Sequence, residues 1–170
     1  MSSLNKEIIN RLFVSCIYSF FFIASTLLNN NFFILIFLIF ILITGLLEFF
    51  NITKKLKNFI LKIFISTFFI VVPILIIYII KTELNGGKNL LTFLFLIVGI
   101  NDVFAYLIGS KIGKIKALKI SPNKTIEGFF GGIIACVIIG PLIIKFLNIN
   151  LEINSFLLSL LISIFGIIGD

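Results

Sequence analysis

The sequence predicts an all-α protein that crosses a membrane about six times. Of its 170 residues, 60% are apolar and only 12% are charged, and the mean hydropathy is +1.26. Soluble domains carry about 25% charged residues, and a soluble globule would need far more polar surface than this chain can supply. Apolar runs of about twenty residues, the length that crosses a bilayer core as a helix, recur along the sequence. We therefore expect a single integral-membrane helical domain over residues 1–170.

Six segments are long and apolar enough, or nearly so, to span the bilayer. They are residues 12–28, 32–50, 59–80, 90–109, 128–147 and 153–169. The first is interpreted as a retained span and not as a signal peptide, because it exceeds a usual signal sequence core and another span follows closely. Asn29, Asn30 and Asn31 separate these two spans, which predicts a tight polar turn between antiparallel helices.

The basic residues divide unevenly between the two sides that six spans define. The formal net charge is +7, and eleven of the fourteen basic residues fall in the N-terminal tail, in the connection after the second span together with the adjoining Lys62, and in the loop 110–127. The positive-inside rule then predicts that the N-terminus and this basic loop, between the fourth and fifth spans, are cytoplasmic. We expect the bacterial cytoplasmic (inner) membrane. Nucleic-acid binding is not expected, because it uses basic faces of soluble folds.

The chain has no histidine and two cysteines. The absence of histidine excludes Ser-His-Asp hydrolases, Cys-His proteases and histidine-ligated zinc or haem sites. Cys16 and Cys136 lie far apart inside apolar runs, which favours small buried side chains over a disulfide framework. Any chemistry is therefore expected from carboxylates, lysines, hydroxyls and backbone groups.

The predicted topology gathers four carboxylates at the cytoplasmic face, namely Glu48, Asp102, Glu127 and Asp170. Asp102 lies within a span, where an ionisable group costs free energy and usually marks a functional cavity. The alternative is that Asp102 extends toward the membrane surface or pairs with a nearby lysine for purely structural reasons. For Glu48, which precedes Lys54 and Lys55, a structural role is an equal alternative.

The loop 110–127 is the least lipid-like part of the chain. Its lysines are Lys111, Lys114, Lys116, Lys119 and Lys124, and they stand among small residues that permit close backbone approach. Such a loop suits phosphates, although basic loops also satisfy topology or touch anionic lipid head groups. Ser121 followed by Pro122 predicts the start of a short helix facing an anion, with Lys124 and Thr125 in its first turn.

Three glycines follow this loop on one face of the fifth predicted helix. They are Gly128, Gly131 and Gly132, at spacings i, i+3 and i+4. Small residues at this spacing let a neighbouring helix approach closely, so we interpret them as packing residues. The alternative is that their bare backbone lines a substrate cavity.

Four motifs in this order resemble the phosphatidate cytidylyltransferase family. They are N-D-V-F-A-Y at 101–106, G-S-K-I-G-K at 109–114, S-P-N-K-T-I-E-G-F-F-G-G at 121–132 and G-D at 169–170. The resemblance implies an integral membrane enzyme of phospholipid synthesis that transfers CMP from CTP to phosphatidate, which gives CDP-diacylglycerol and pyrophosphate. It also implies a divalent metal such as Mg²⁺.

The resemblance assigns roles to seven residues. It implies catalytic roles for Asp102, Lys124 and Asp170, metal binding by Asp170 and Asp102, and substrate binding by Asn101, Ser121, Lys124, Thr125 and Glu127. For Glu127, the turn it occupies allows either a metal ligand or a base. Whether the chain forms a homodimer is left open.

The chain departs from the family pattern at its end. The family signature, with an H-G-G-x-x-D-R-x-D segment, follows the G-D position, where this sequence stops. We therefore expect an N-terminal portion of a longer enzyme that is inactive alone. The alternatives are a related lipid-phosphate nucleotidyltransferase or polyprenol kinase-like enzyme, and a non-catalytic membrane protein or small transporter.

Overall fold

All regular secondary structure in the described part of the chain is helical. The computed structural model describes residues 16–55, 57–116, 124–150 and 153–169. The helices are α1 (Cys16–Leu27), α2 (Asn31–Ile52), α3 (Phe59–Glu83), α4 (Gly87–Ile112), α5 (Ile126–Phe146) and α6 (Ser155–Gly169). The all-α prediction is confirmed.

Four of these helices, α2 to α5, are long and apolar enough to cross a membrane. Their lengths of 21 to 26 residues match the roughly twenty that a helical span requires. The chain is thus an integral membrane protein. Helices α1 and α6 are apolar but shorter, and each borders residues outside the described ranges, so the first and sixth spans remain predictions.

Helices α4 and α5 extend into the predicted loop 110–127, which is correspondingly shorter. Ser110 and Lys111 belong to the last turn of α4, and Glu127 is the second residue of α5. Both extensions are favourable electrostatically, because a cation suits the C-terminal end of a helix and a carboxylate suits its first turn. The predicted loop boundaries were therefore wrong by two or three residues at each end.

The chain divides into two compact units, Met1–Lys88 and Asn89–Asp170. In the first unit, α1 and α2 form the predicted antiparallel pair: ring centroids lie 6.2 Å apart for Tyr18 and Phe40, and 6.0 Å apart for Phe22 and Phe37. Asn30 caps α2, and its side chain accepts a hydrogen bond from the Phe32 backbone N–H at 2.9 Å. The predicted polar turn is confirmed.

Helix α3 contains a π-helical turn, Thr67–Val71, which ends two residues before Pro73. Proline has no N–H to donate to the carbonyl four residues earlier, and its ring clashes with that carbonyl in a regular α-helix. A wider turn relieves this clash while the helix continues. Pro73 is therefore accommodated by a local irregularity within one long helix.

The second unit packs α4, α5 and α6 through small residues. A Cβ added to Gly128 would stand 2.6 Å from the Ala105 carbonyl oxygen, and one on Gly132 would stand 2.8 Å from that of Asn101. The two backbones approach this closely only because α5 carries glycine at both positions. The packing interpretation of these glycines is thus supported, and the unit's buried core of Phe93, Ile97, Cys136 and Ile144 continues along the same interface.

Candidate active site

The start of α5 is capped by Thr125. Its backbone is extended (φ −119°, ψ 152°), and its Oγ1 accepts a hydrogen bond from the Gly128 N–H at 3.2 Å. This satisfies one of the N–H groups that have no partner within a helix. The prediction that Lys124 and Thr125 lie in the first turn of a helix is wrong, because Lys124 is not helical and the Thr125 backbone is extended. Ser121 and Pro122, the predicted start, lie outside the described residues.

The two ends of the basic loop are joined next to this cap. The Ile126 N–H donates to the Ile115 carbonyl oxygen at 3.0 Å, and Lys116 pairs with Thr125 in an antiparallel bridge. The Glu127 carboxylate accepts the Ile115 N–H, with N to Oε1 and Oε2 distances of 3.2 and 3.3 Å. We call this set of contacts among residues 115, 116 and 125–127 the loop joint.

Glycines at the end of α4 make room for the loop joint. A Cβ on Gly109 would stand 2.8 Å from Thr125 Oγ1, and one on Gly113 would stand 2.6 Å from Thr125 Cγ2. The Gly113 N–H closes the last turn of α4 by donating to the Gly109 carbonyl at 3.0 Å. The threonine therefore fits against α4 only where α4 has no side chains.

Lysines surround the loop joint. Lys114 and Lys116 are exposed, Lys124 is half-buried, and Lys111 occupies the exposed last turn of α4. Long cationic side chains at one end of a membrane helix bundle can neutralise the several negative charges of a nucleotide or lipid phosphate. Lys119, the fifth lysine of the predicted set, lies outside the described residues.

Asn101 and Asp102 are neighbours on α4 with opposite surroundings. Asn101 is only 2% exposed, and its Oδ1 lies 3.9 Å from Cys136 Sγ on α5. Asp102 is exposed on the surface of the chain. Since Ala105 and Asn101 face Gly128 and Gly132, Asp102 lies about one helical turn deeper than the start of α5.

Comparison with known proteins decides the family. The sequence profile of the cytidylyltransferase family matches residues 2–170. The chain belongs to this family. Similar proteins include the phosphatidate cytidylyltransferases of Staphylococcus epidermidis RP62A, 44% identical over 97 residues, and of Staphylococcus haemolyticus, 42% identical over 88 residues.

The matched segments cover 55% and 51% of this chain and 36% and 34% of those relatives, respectively. The phosphatidate cytidylyltransferase of Staphylococcus aureus COL is 40% identical over 88 residues, which is 51% of this chain and 34% of that protein. The matches thus span about a third of the length of each relative. No solved structure matches the chain significantly.

The structure brings together some of the residues that the cytidylyltransferase resemblance singles out. Thr125 and Glu127 share the loop joint, and Lys124 adjoins it. Asp102 lies deeper along α4, and Asn101 is in the interior. Ser121 and Asp170 lie outside the described residues, although α6 ends at Gly169, immediately before Asp170.

Mg²⁺, the metal that the resemblance implies, prefers oxygen ligands such as the carboxylate of Asp102. The carboxylate of Asp102 is therefore a suitable type of ligand for this metal. Within the described ranges, no three Asp, Glu, Cys or His side chains converge to form a metal site. Glu48, the remaining predicted acid, is exposed on α2 in the first unit, where it lines an open pocket with Thr44 and Lys54.

Sequence reasoning missed Ile115. Both of its backbone polar groups enter the loop joint, yet an apolar residue between two lysines offers no side-chain chemistry to attract attention. The alternation Lys114-Ile115-Lys116 was the available signal, because alternating polar and apolar residues favour extended backbone that can pair with another segment.

Proposed function

We propose that the chain takes part in the transfer of CMP from CTP to phosphatidate. A phosphate oxygen of phosphatidate forms a bond to the α-phosphorus of CTP. At the same time the bond breaks between that phosphorus and the oxygen that it shares with the β-phosphorus. The products are CDP-diacylglycerol and pyrophosphate. Family membership and the name shared by the Staphylococcus relatives support this reaction class.

The observation that carries the proposal is the loop joint with its lysines at the start of α5. CTP and phosphatidate are both anions, so most of the barrier to their reaction lies in holding them together and neutralising the charge that develops. Lys114, Lys116 and Lys124 extend from a segment that the loop joint holds against α5. In the proposal these three side chains bind the phosphates.

Hydroxyl and carboxylate groups take further roles in the proposal. Ser121 and Thr125 border the phosphates, with the Thr125 hydroxyl also capping α5. Asp102 and Asp170 would hold Mg²⁺, which would neutralise charge on the leaving pyrophosphate. The diacylglycerol part of phosphatidate remains in the bilayer beside the apolar helices.

We further propose that the basic loop lies on the cytoplasmic side of the bacterial inner membrane, where CTP is available. The charge asymmetry of the sequence supports this orientation, in which the N-terminus is also inside. Phosphatidate enters laterally from the bilayer and CTP enters from the aqueous phase.

The decisive experiment measures label transfer from CTP. The product of the complete reading frame that contains these residues is purified in detergent, with the 170 residues alone assayed in parallel. It is incubated with Mg²⁺, CTP labelled on the α-phosphate, and phosphatidate. We expect label in CDP-diacylglycerol from the complete product. Comparison of the two preparations checks whether residues 1–170 are inactive alone.

Two other acceptors test the alternatives. An ether-linked lipid phosphate that takes the label in preference to phosphatidate would point to a related nucleotidyltransferase. Transfer of the γ-phosphoryl group of CTP to a free polyprenol would point to a kinase. Transfer to none of these acceptors by the complete product would contradict the proposal and favour a non-catalytic membrane protein.

A further inference from the structure

The role of Glu127 follows from the geometry of the loop joint. Both carboxylate oxygens lie within 3.3 Å of the Ile115 backbone nitrogen, so the side chain is oriented toward the backbone of the preceding loop segment. The Ile115 carbonyl oxygen is engaged at the same time by the Ile126 N–H. Both polar backbone groups of one loop residue are therefore bound by two consecutive residues of α5.

We propose that Glu127 is a positioning residue that holds the loop segment 114–116 against the start of α5. In this role it acts through the loop backbone and does not itself touch the reacting groups or a metal. This inference rests on the proposed function, because holding the loop matters for the reaction only if the loop lysines bind phosphate. The contact between this segment and α5 can be measured without any enzymatic assay.

Two lysines depend directly on this contact. Lys114 and Lys116 flank Ile115 in the sequence, so fixing the Ile115 N–H fixes the points from which both side chains extend. Lys124 adjoins the other side of the same joint, directly before the Thr125 cap. Without the Glu127 contact, the described residues of the loop joint retain the Ile126 hydrogen bond, the Lys116–Thr125 bridge and the packing of Thr125.

Charge and position both favour Glu127 in this role. A carboxylate in the first turn of a helix is stabilised by the helix dipole, and a hydrogen bond to a charged acceptor is stronger than one between neutral groups. Glycines at 109 and 113 let the Thr125 side chain approach α4, which places Glu127 two residues later within reach of Ile115. Packing and hydrogen bonding thus act together.

Substitutions at Glu127 separate a positioning role from a chemical one. Glu127→Gln removes the charge but keeps a carbonyl oxygen at the same reach. Glu127→Asp keeps the charge but shortens the side chain by one methylene, and Glu127→Ala removes both properties. If Glu127 is a positioning residue, Glu127→Gln should retain more of the loop contact and of the activity than Glu127→Asp. If Glu127 is a metal ligand or a general base, Glu127→Asp should retain more activity than Glu127→Gln. Glu83→Ala, at an exposed position in the first unit, is the matched control.

The first measurement is limited trypsin digestion of the full chain in detergent micelles. Cleavage after Lys114 and Lys116 is followed by mass spectrometry, because these bonds are distant in sequence from the substitution. We expect cleavage to be roughly tenfold faster in Glu127→Ala, consistent with loss of one charge-assisted hydrogen bond. Glu83→Ala should resemble the parent, Glu127→Gln should fall between the parent and Glu127→Ala because it keeps the acceptor but loses the charge, and Glu127→Asp should resemble Glu127→Ala.

The second measurement is the KM for CTP of the complete reading-frame product. We expect Glu127→Ala to raise KM about tenfold with little change in kcat, and Glu127→Gln to raise it by a smaller factor. Unchanged cleavage in all variants, or higher activity in Glu127→Asp than in Glu127→Gln, would overturn the positioning role while leaving the proposed reaction intact. If no variant transfers CMP, the digestion ranking still decides the inference, because it requires no activity.

Discussion

Asn101 on α4 lies directly against Gly132 on α5, in contact that leaves no space for a side chain on the glycine. A Cβ at Gly132 would stand 2.6 Å from Asn101 Oδ1, and a Cβ at Gly166 on α6 would stand 3.8 Å from Asn101 Nδ2. The buried amide thus occupies the junction of the three helices of the second unit. In membranes such polar side chains between helices, facing small residues, stabilise a particular packing.

Gly132→Ala is expected to destabilise the second unit. The added methyl group would overlap both the side chain and the backbone of Asn101, and α4 and α5 would have to separate. Overpacking of this kind costs about 1–3 kcal/mol. The free energy of unfolding, measured by denaturant titration of the protein in mixed micelles, should fall by that amount.

Gly99→Ala is the matched control for this prediction. Gly99 lies in the middle of α4 but on its exposed side, and no heavy atom lies within 4 Å of the position of an added Cβ. Alanine should leave stability unchanged or raise it by roughly 0.5–1 kcal/mol, because glycine is a poor helix former. Equal losses in both variants would show that the Asn101 contact is not what limits the packing.

The helices were the predictable part of this fold. Apolar runs such as 32–50 and 90–109 have the length of a bilayer span, and a backbone in lipid must satisfy its hydrogen bonds within a helix. The spacing of Gly128 and Gly132 likewise predicted close packing, which the structure shows. Both inferences depend on local sequence periodicity, which needs no knowledge of tertiary contacts.

The surroundings of the candidate site residues were less predictable. Local propensity pointed to Ser121-Pro122 as the helix start and placed Thr125 within the first turn, because serine followed by proline favours such a start. Thr125 caps the helix in the structure, where Gly109 and Gly113 of α4 accommodate its side chain. Similarly, a motif can single out Asn101 but cannot reveal that its amide is buried.

Lys81→Met should destabilise the first unit. Lys81 is a buried residue of α3, and its ammonium group donates a hydrogen bond to the Ser25 carbonyl oxygen in the last turn of α1. A cation at this place satisfies a terminal carbonyl and suits the negative end of the helix dipole. Methionine fills similar space without the hydrogen bond, so we expect a loss of about 1–3 kcal/mol.

The measurement for Lys81→Met is thermal unfolding in lipid bicelles followed by circular dichroism. Lys57→Met serves as the control, because Lys57 is an exposed residue between α2 and α3. It should leave the unfolding temperature unchanged. A Lys81→Met variant as stable as the Lys57→Met variant would mean that the buried hydrogen bond contributes nothing to the association of α3 with α1.

Lys124→Ala should impair the proposed reaction far more than Lys145→Ala. The two lysines lie at opposite ends of α5: Lys124 adjoins the loop joint, and Lys145 is exposed in the last turn. Removal of a cation that binds phosphate should raise the KM for CTP at least about tenfold. Steady-state assays of the complete reading-frame product should show this loss, and parent-like kinetics in Lys124→Ala would contradict the assignment.

Asp102→Asn tests the deeper carboxylate independently of the loop. The substitution preserves size but removes the charge, so a group that holds Mg²⁺ should lose activity by at least about a hundredfold. Raising the Mg²⁺ concentration should recover part of that loss. If instead Asp102 has the structural role that the sequence also allows, Asp102→Asn should lower the unfolding temperature and leave kcat and the Mg²⁺ dependence unchanged.

Chemical labelling of single cysteines should show that α4 crosses the membrane with its lysine-rich end in the cytoplasm. The helix has 26 residues, or about 39 Å at 1.5 Å per residue, so its ends emerge on opposite sides of the bilayer. In a background with Cys16→Ser and Cys136→Ser, we introduce Asn85→Cys before α4 and Lys111→Cys in its last turn, both at exposed positions.

A membrane-impermeant maleimide applied to intact spheroplasts should label Asn85→Cys and leave Lys111→Cys unmodified. Inverted vesicles should give the opposite pattern, because the positive-inside rule assigns the basic loop to the cytoplasm. Labelling of Lys111→Cys in intact spheroplasts would contradict the orientation and would remove the basic loop from the compartment that contains CTP.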